Sequence, residues 1–181
     1  MKKELIKLAG ILCAITLVAA LLLACVNKIT APEIEKAAQK ASDEAMQTLI
    51  PEADEFVPVE GKENIWKAIK GSEVLGYCVT VFVKGFGGPI EMMVGIGAEG
   101  VVKGIDILSH SETAGLGAKA DTDEFKSRFV RKNPDLAVTK QPTDAIDEVQ
   151  AITGATITSK AVIEGVKQAN EMIKALEGGD K

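Results

Sequence analysis

The stretch "PIEMMVGIGAEGVVKGIDILSH", residues Pro89–His110, decides the predicted fold of this chain. Two apolar runs, Pro89–Ile96 and Val101–Leu108, flank the short connection GAEG. Runs of this length and composition are typical of strands, and a short connection that contains glycine is typical of a hairpin. The stretch therefore predicts two neighbouring antiparallel strands.

The segments on either side extend this hairpin into a sheet covered by helices. Upstream, Asn64–Lys70 and Val74–Val83 predict two further strands. Downstream, Asp121–Lys132 predicts a short helix, and Thr158–Leu176 predicts a final helix with one apolar face. We therefore expect an α+β fold, an antiparallel sheet with packed helices, followed by a frayed polar end at Glu177–Lys181.

The N-terminal segment predicts a transmembrane helix. Leu8–Val26 carries no charge and is long enough to cross the hydrocarbon core of a bilayer. Lysines precede it, so the positive-inside rule predicts a cytoplasmic N-terminus and a chain that is extracytoplasmic from Asn27 onward. The expected organisation is a cytoplasmic tip and single span in residues 1–28, an extracytoplasmic linker helix in 29–55, and a domain in 56–181.

Two details of this region have alternatives. A helix start is predicted at Thr30, with Pro32 in its first turn and an end near Pro51. The segment LLLAC, Leu21–Cys25, resembles a lipoprotein processing site at which Cys25 would be acylated. Leu23 fits that site poorly, and the apolar run is longer than a usual signal segment, so we favour the uncleaved span.

Composition excludes several functions. The chain has a net charge of −5 and 4% aromatic residues, which disfavours nucleic-acid binding. Its three cysteines form no C-x-x-C pair, and it has a single histidine, His110. No metal site, iron–sulfur cluster or disulfide framework built by this chain alone is expected.

Two glycine-rich loops are candidate parts of a binding site. In "KGFGGPIEMMVGI", Lys84–Ile96, the early glycines would let a ligand approach the backbone, or would simply make a wide turn. In "SHSETAGLGAKAD", Ser109–Asp121, the apolar Leu116 lies near the polar Glu112 and Thr113. That combination is typical of small-molecule sites, although a glycine-rich surface loop has the same composition.

A third candidate is "VQAITGATITSKAV", Val149–Val162, which contains four hydroxyl side chains before the final helix. One helix cap needs only one hydroxyl. A helix N-terminus also offers free N–H groups and a partial positive charge, which favour phosphate binding. A catalytic serine or threonine is not expected, because no base is in view.

These loops together resemble the FMN-binding domain family, which includes the RnfG and NqrC subunits of membrane redox complexes. TGATITS, Thr153–Ser159, resembles the family's flavinylation motif. SETAGLGAK, Ser111–Lys119, and GFGGPI, Gly85–Ile90, resemble its other two loops, and NKIT after the span fits the RnfG branch. Gln150 occupies a position where the motif usually carries aspartate.

The resemblance implies FMN as the cofactor, joined to Thr156 by a phosphoester bond that a separate flavin transferase forms. Thr156 lies in a cofactor-binding set in which the flavin ring is expected near the loop residues and against Met92 or Met93. The remaining members of this set are Thr153, Gly154, Ala155, Thr158, Ser159, Glu112, Thr113 and Leu116.

The resemblance also implies a function. Rnf complexes couple electron transfer between ferredoxin and NAD to transport of sodium ions or protons, and this chain would relay electrons on the outer face of the membrane. Its partners would be the membrane subunits A, D and E and the peripheral subunits B and C. The alternative is a membrane-tethered flavin-binding or assembly module without a redox role. A free-standing reductase is disfavoured, because no G-x-G-x-x-G motif follows a strand.

Overall fold

The structure is a computed structural model that describes residues 2–178. The chain divides into two compact units, one up to Lys40 and one from Ala41 onward. The last three residues of the predicted frayed end lie outside the described residues.

The first unit consists of a single helix. Helix α1 runs from Lys2 to Leu49 and continues into the second unit. Within residues 2–178, one helix, Ile6–Leu49, is long and apolar enough to cross a membrane, which agrees with the predicted span. The predicted helix start at Thr30 is wrong. The preceding turn is already helical, so the Thr30 hydroxyl donates a hydrogen bond back to the Val26 carbonyl at 3.0 Å instead of capping.

The second unit is built on a five-stranded antiparallel sheet whose strands follow chain order. The predicted strands are confirmed, and an additional edge strand precedes them. The strands are β1 (Glu55–Pro58), β2 (Ile65–Lys70), β3 (Glu73–Lys84), β4 (Pro89–Gly97) and β5 (Val102–His110).

Helices and short segments cover one face of this sheet. The segment predicted as one helix is instead a 3₁₀ turn (Gly117–Asp121), helix α2 (Asp123–Lys126) and a second 3₁₀ turn (Ser127–Phe129). Two short parallel strands follow, β6 (Ala137–Thr139) and β7 (Glu148–Gln150), and then helix α3 (Thr156–Gly178). The apolar face of α3 packs on β3 and β4, so its N-terminus lies where the loops of the sheet can reach it.

The C-terminal end of α1 packs on the opposite face. Its buried residues Ala45, Met46 and Leu49 form a second core with the sheet residues Cys78 and Met93. Leu49 lies over the cross-strand pair Gly95 and Gly104, where a Cβ atom on either glycine would come within 3.0 Å of its side chain. Burial in this core raises the pKa of the Cys78 thiol to about 12.

An ion pair holds α2 against the sheet. The Lys126 ammonium lies 2.8 Å from Asp106 Oδ1 on β5 and 3.3 Å from Asp121 Oδ1. Burial disfavours the charged ammonium, but hydrogen bonds and charges from Asp106 and Asp121 outweigh it, so the pKa of Lys126 is raised. The contact fixes the end of the loop that follows β5.

Candidate functional site

The three predicted loops meet at one cavity of about 370 Å³ at the N-terminus of α3. A cavity of this size is within the range that binds small molecules. Its lining residues are Phe86, Glu112, Thr113, Leu116, Gly117, Gly154, Ala155, Thr156, Ile157 and Thr158.

One end of the cavity is the first turn of α3. The Ala155 carbonyl accepts the first hydrogen bond of the helix, from the Ser159 N–H at 3.0 Å. The N–H groups of Thr156, Ile157 and Thr158 have no hydrogen-bond partner within residues 2–178. Because the helix dipole adds partial positive charge to these free donors, this end of the cavity is suited to a phosphate group. Thr156 is half-buried, and its hydroxyl has no protein partner in the described part of the chain.

The loop that leads into α3 has a fixed conformation. Gly154 has φ of +83°, a left-handed conformation that favours glycine. The buried hydroxyl of Ser159 accepts a hydrogen bond from the Ile152 N–H at 2.9 Å and donates one to the Ala155 carbonyl at 3.0 Å. Ser159 therefore holds the loop in this conformation through these two hydrogen bonds.

Glu112 connects the other two loops to this helix start. Its Oε2 accepts a hydrogen bond from the Thr158 hydroxyl at 2.7 Å, and its Oε1 accepts one from the Gly87 N–H at 2.9 Å. Its own N–H donates to Nδ1 of His110 at 3.2 Å. Within the described lining of the cavity, Glu112 is the one ionisable side chain, and both of its oxygens are engaged.

The rest of the cavity is apolar. Phe86, Leu116 and Ile157 line it and remain exposed by 70%, 47% and 57%. Exposed large apolar side chains around a cavity suit a flat aromatic ligand. Sequence reasoning missed Phe86 and Ile157. The available signal was their position, since each is an apolar residue inside a candidate loop motif.

The structure brings together seven of the nine sequence-predicted site residues and separates two. Glu112, Thr113, Leu116, Gly154, Ala155, Thr156 and Thr158 line the cavity. Thr153 is exposed and lines a neighbouring cavity with Arg128 and Gln150, and Ser159 is fully buried. The expected contact of the ring with Met92 or Met93 is wrong, because both side chains are fully buried in the cores on opposite sides of the sheet.

The arrangement fits FMN. Three unpaired amides and the Thr156 hydroxyl lie at one end of the cavity, and the apolar side chains of Phe86, Leu116 and Ile157 line its wall. These are the two chemistries that a flavin nucleotide needs, a phosphate-binding end and an apolar surface for the ring. Bound there, FMN would supply the capacity to accept and donate electrons.

Two family models match the chain. Residues 85–171, which include all three loops, match the FMN-binding domain. Residues 1–49, which correspond to α1, match the RnfG N-terminal region.

Solved structures with the same fold are known. The crystal structures of NqrC from Shewanella oneidensis and of the C subunit of Na⁺-translocating NADH-quinone reductase from Parabacteroides distasonis both superpose with a TM-score of 0.51. They are 21% and 26% identical to this chain and are matched over 57% and 58% of it. The match spans 52% and 57% of their own chains, so just over half of each is represented here.

Similar sequences occur in bacteria and archaea. The G subunit of the proton-translocating ferredoxin:NAD⁺ oxidoreductase complex of Clostridium ljungdahlii is 38% identical over 90% of this chain and 88% of its own. The G subunit of the Na⁺-translocating complex of Acetobacterium woodii is 37% identical over 96% and 94%. The G subunit of the ion-translocating oxidoreductase complex of Methanosarcina acetivorans is 34% identical over 97% and 98%. The chain therefore belongs to the RnfG family of G subunits of ion-translocating ferredoxin:NAD⁺ oxidoreductase complexes and carries an FMN-binding domain.

Proposed function

We propose that this chain is the electron-relaying subunit of a membrane-bound ion-translocating ferredoxin:NAD⁺ oxidoreductase, with FMN attached to Thr156. The observation that carries the proposal is the position of Thr156. Thr156 is the first residue of α3. Its half-buried hydroxyl lies beside three backbone amides that are unpaired within residues 2–178, in a cavity with an apolar wall.

The bond would be a phosphoester: Thr156 Oγ1 bonds the FMN phosphorus, the bond from that phosphorus to the leaving oxygen of the transferase's flavin substrate breaks, and the hydroxyl proton leaves with that oxygen. Glu112 is the one ionisable side chain in the described lining of the cavity, and its oxygens bond Gly87 and Thr158, not Thr156. In this proposal a separate flavin transferase, which the family resemblance implies, supplies the base and the flavin substrate. This chain supplies the acceptor hydroxyl, and the free amides hold the phosphate that results.

We propose roles for the other residues of the cavity from their contacts. Leu116 and Phe86 would contact the ring, and Thr113 would offer it a hydrogen bond. Thr158 and Ser159 act through the protein, Thr158 by its bond to Glu112 and Ser159 by holding the loop of Gly154 and Ala155.

The proposed carrier would be anchored to the membrane by its N-terminal span and would be one subunit of a larger complex. We propose a cytoplasmic tip and span in residues 1–28, a linker helix in 29–55 and the FMN domain in 56–181 on the outer face. The partners would be the membrane subunits A, D and E and the peripheral subunits B and C. The transported ion stays open, because the relatives include both a proton-translocating and a sodium-translocating complex.

The attachment is tested by producing the full chain together with the flavin transferase. We expect the peptide that contains Thr156 to gain the mass of one FMN less one water, and the band in a denaturing gel to fluoresce. Thr156→Val, which keeps the shape of the side chain but removes the hydroxyl, should be colourless. Thr156→Ser, the matched control, keeps the hydroxyl and should be modified.

Two results would refute the proposal. A covalently yellow Thr156→Val variant would place the bond elsewhere. A wild-type chain that binds FMN only reversibly, or not at all, would favour the tethered binding or assembly module without a redox role.

A further inference from the structure

One buried carboxylate joins three segments that are far apart in the sequence. Glu112 is 9% exposed and bonds Gly87 in the loop between β3 and β4 and Thr158 in the first turn of α3. Gly87 follows Phe86 on the apolar wall of the cavity, and Thr158 lies two residues after Thr156. Glu112 therefore connects the segment that offers apolar contacts to the segment that offers phosphate contacts.

The position of the Glu112 carboxylate leaves no room for a side chain at two neighbouring glycines. A Cβ atom on Gly117 would lie 2.1 Å from Glu112 Oε2 and 2.8 Å from Thr158 Oγ1. A Cβ atom on Gly85 would lie 2.2 Å from Glu112 Oε1. Neither glycine has a left-handed φ, so the close approach of Glu112, and not backbone conformation, explains why a side chain is absent at these two positions.

We propose that Glu112 is a positioning residue, whose carboxylate sets the distance between the Phe86 loop and the start of α3 before flavin is attached. This inference rests on the proposed function of the site. The two oxygens of the carboxylate bond donors on two different segments of this chain, so the carboxylate holds those segments at one separation. A preformed cavity binds its ligand without a further ordering cost.

Three variants separate the connection from the negative charge. Glu112→Gln removes the charge but keeps both bonds, because its Oε1 still accepts from Gly87 and its Nε2 can donate to the Thr158 hydroxyl. Glu112→Ala removes both bonds. Gly117→Ala keeps the charge but pushes the carboxylate away from Thr158. Glu91→Gln is the matched control, since that carboxylate bonds Ser109 and does not line the cavity.

Two readouts apply to the full chain in detergent. The first is amide hydrogen exchange at Gly87 in protein made without the transferase. The second is the rate at which the transferase attaches FMN to Thr156. We expect Glu112→Ala and Gly117→Ala to change both rates by roughly tenfold, the effect of losing a hydrogen bond to a charged acceptor, with faster exchange and slower attachment. Glu91→Gln should stay within about twofold of wild type. Glu112→Gln, which keeps both bonds but makes them neutral, should change both rates less than Glu112→Ala does.

Opposite patterns would overturn the inference. If Glu112→Gln slows attachment as much as Glu112→Ala, the charge matters and the connection does not. If Gly117→Ala leaves both rates unchanged, the carboxylate does not set the loop distance. A wild-type chain that stays unmodified would count against covalent attachment instead, and the exchange measurement would still decide the role of Glu112, because it needs no flavin.

Discussion

The four hydroxyl residues of TGATITS have four different surroundings. Thr153 is exposed, Thr158 bonds the Glu112 carboxylate, and Ser159 is buried under the loop. Thr156 alone of these four combines a hydroxyl without a protein partner, within the described chain, and a position among unpaired amides. The fold therefore divides this row of hydroxyls into one at the start of α3 beside the unpaired amides, one that is exposed and two that hold neighbouring loops.

The support role of Ser159 predicts a loss of stability. In Ser159→Ala the buried Ile152 N–H loses its acceptor, and an unpaired buried donor costs about 1–3 kcal/mol. We expect the free energy of unfolding by urea to fall by that amount. Thr153→Ala, at an exposed position of the same loop, should change it by less than about 0.5 kcal/mol. Equal stability of the two variants would show that the Ser159 bonds do not matter.

Cys78 provides a pH-dependent prediction. Its pKa is raised to about 12, so the reactive thiolate is scarce in the folded protein until the pH approaches that value. We expect iodoacetamide to leave Cys78 unmodified in folded protein at pH 8 and to modify it after denaturation. The measurement is mass spectrometry of the peptide that contains Cys78. Rapid modification of folded protein at pH 8 would contradict the burial.

Glu112 shows what the sequence could predict about a single residue, its loop, and what it could not, its hydrogen-bond partners. Its loop was predicted as a candidate site because an apolar residue lies there among glycines and polar groups, and the loop lines the cavity. Its partners were not predicted, because Gly87 and Thr158 lie 25 and 46 residues away and only the fold brings them within hydrogen-bond distance. Of the glycines predicted to admit a ligand, Gly85 lies against the Glu112 carboxylate, and Gly87 and Gly88 lie against Ser111.

At the scale of elements, the contact of α3 with the sheet depends on a small residue. A Cβ atom on Gly165 would lie 2.6 Å from the Met92 sulfur and 3.3 Å from methyl groups of Val81 and Val83. These three side chains are buried, with Met92 fully so, and leave little room to move. Gly165 therefore sets how closely the helix that carries Thr156 approaches β3 and β4.

Gly165→Ala should accordingly destabilise the protein, although alanine is the better helix former. Alanine gains about 1 kcal/mol in helix propensity. Overpacking of a closed core costs about 1–3 kcal/mol. We expect a net loss in the free energy of unfolding, measured by urea denaturation. Gly178→Ala, which has open space at the same helix, is the control and should be neutral or stabilising. Stabilisation of both variants would mean that α3 does not pack this closely.

The elements differ in how far the sequence predicted them. Strands β2 to β5 were predicted because each has at least six residues and an apolar core face, whereas β1, β6 and β7 have three or four residues and give no periodic signal. The helix predicted at Asp121–Lys132 has Phe125, Phe129 and Val130 as its expected apolar face. Phe125 and Phe129 are buried, but Val130 is exposed. The helical segment ends at Phe129, because the backbone of Arg131 and Lys132 instead exchanges hydrogen bonds with Val102 of β5.

At the scale of the whole molecule, the two family matches cover different parts of the chain. The N-terminal match covers α1, and the FMN-binding match covers the loops and α3. Helix α1 ends within the second core, where Leu49 lies over Gly95 and Gly104. The helix that carries the apolar span is thus continuous in sequence with residues of the second core of the domain.

The last prediction concerns the side of the membrane on which the residues after the span lie. If residues from Asn27 onward are extracytoplasmic, a cysteine introduced at the exposed Lys140 should react with a membrane-impermeant maleimide in intact cells. A cysteine at Lys3 should react only after the cells are permeabilised. The wild-type chain is the control and should stay unlabelled, because Cys78 is buried and Cys13 and Cys25 lie in the apolar run. Labelling at position 3 and not at position 140 in intact cells would place the flavin domain in the cytoplasm, and the proposed outer-face relay would be wrong.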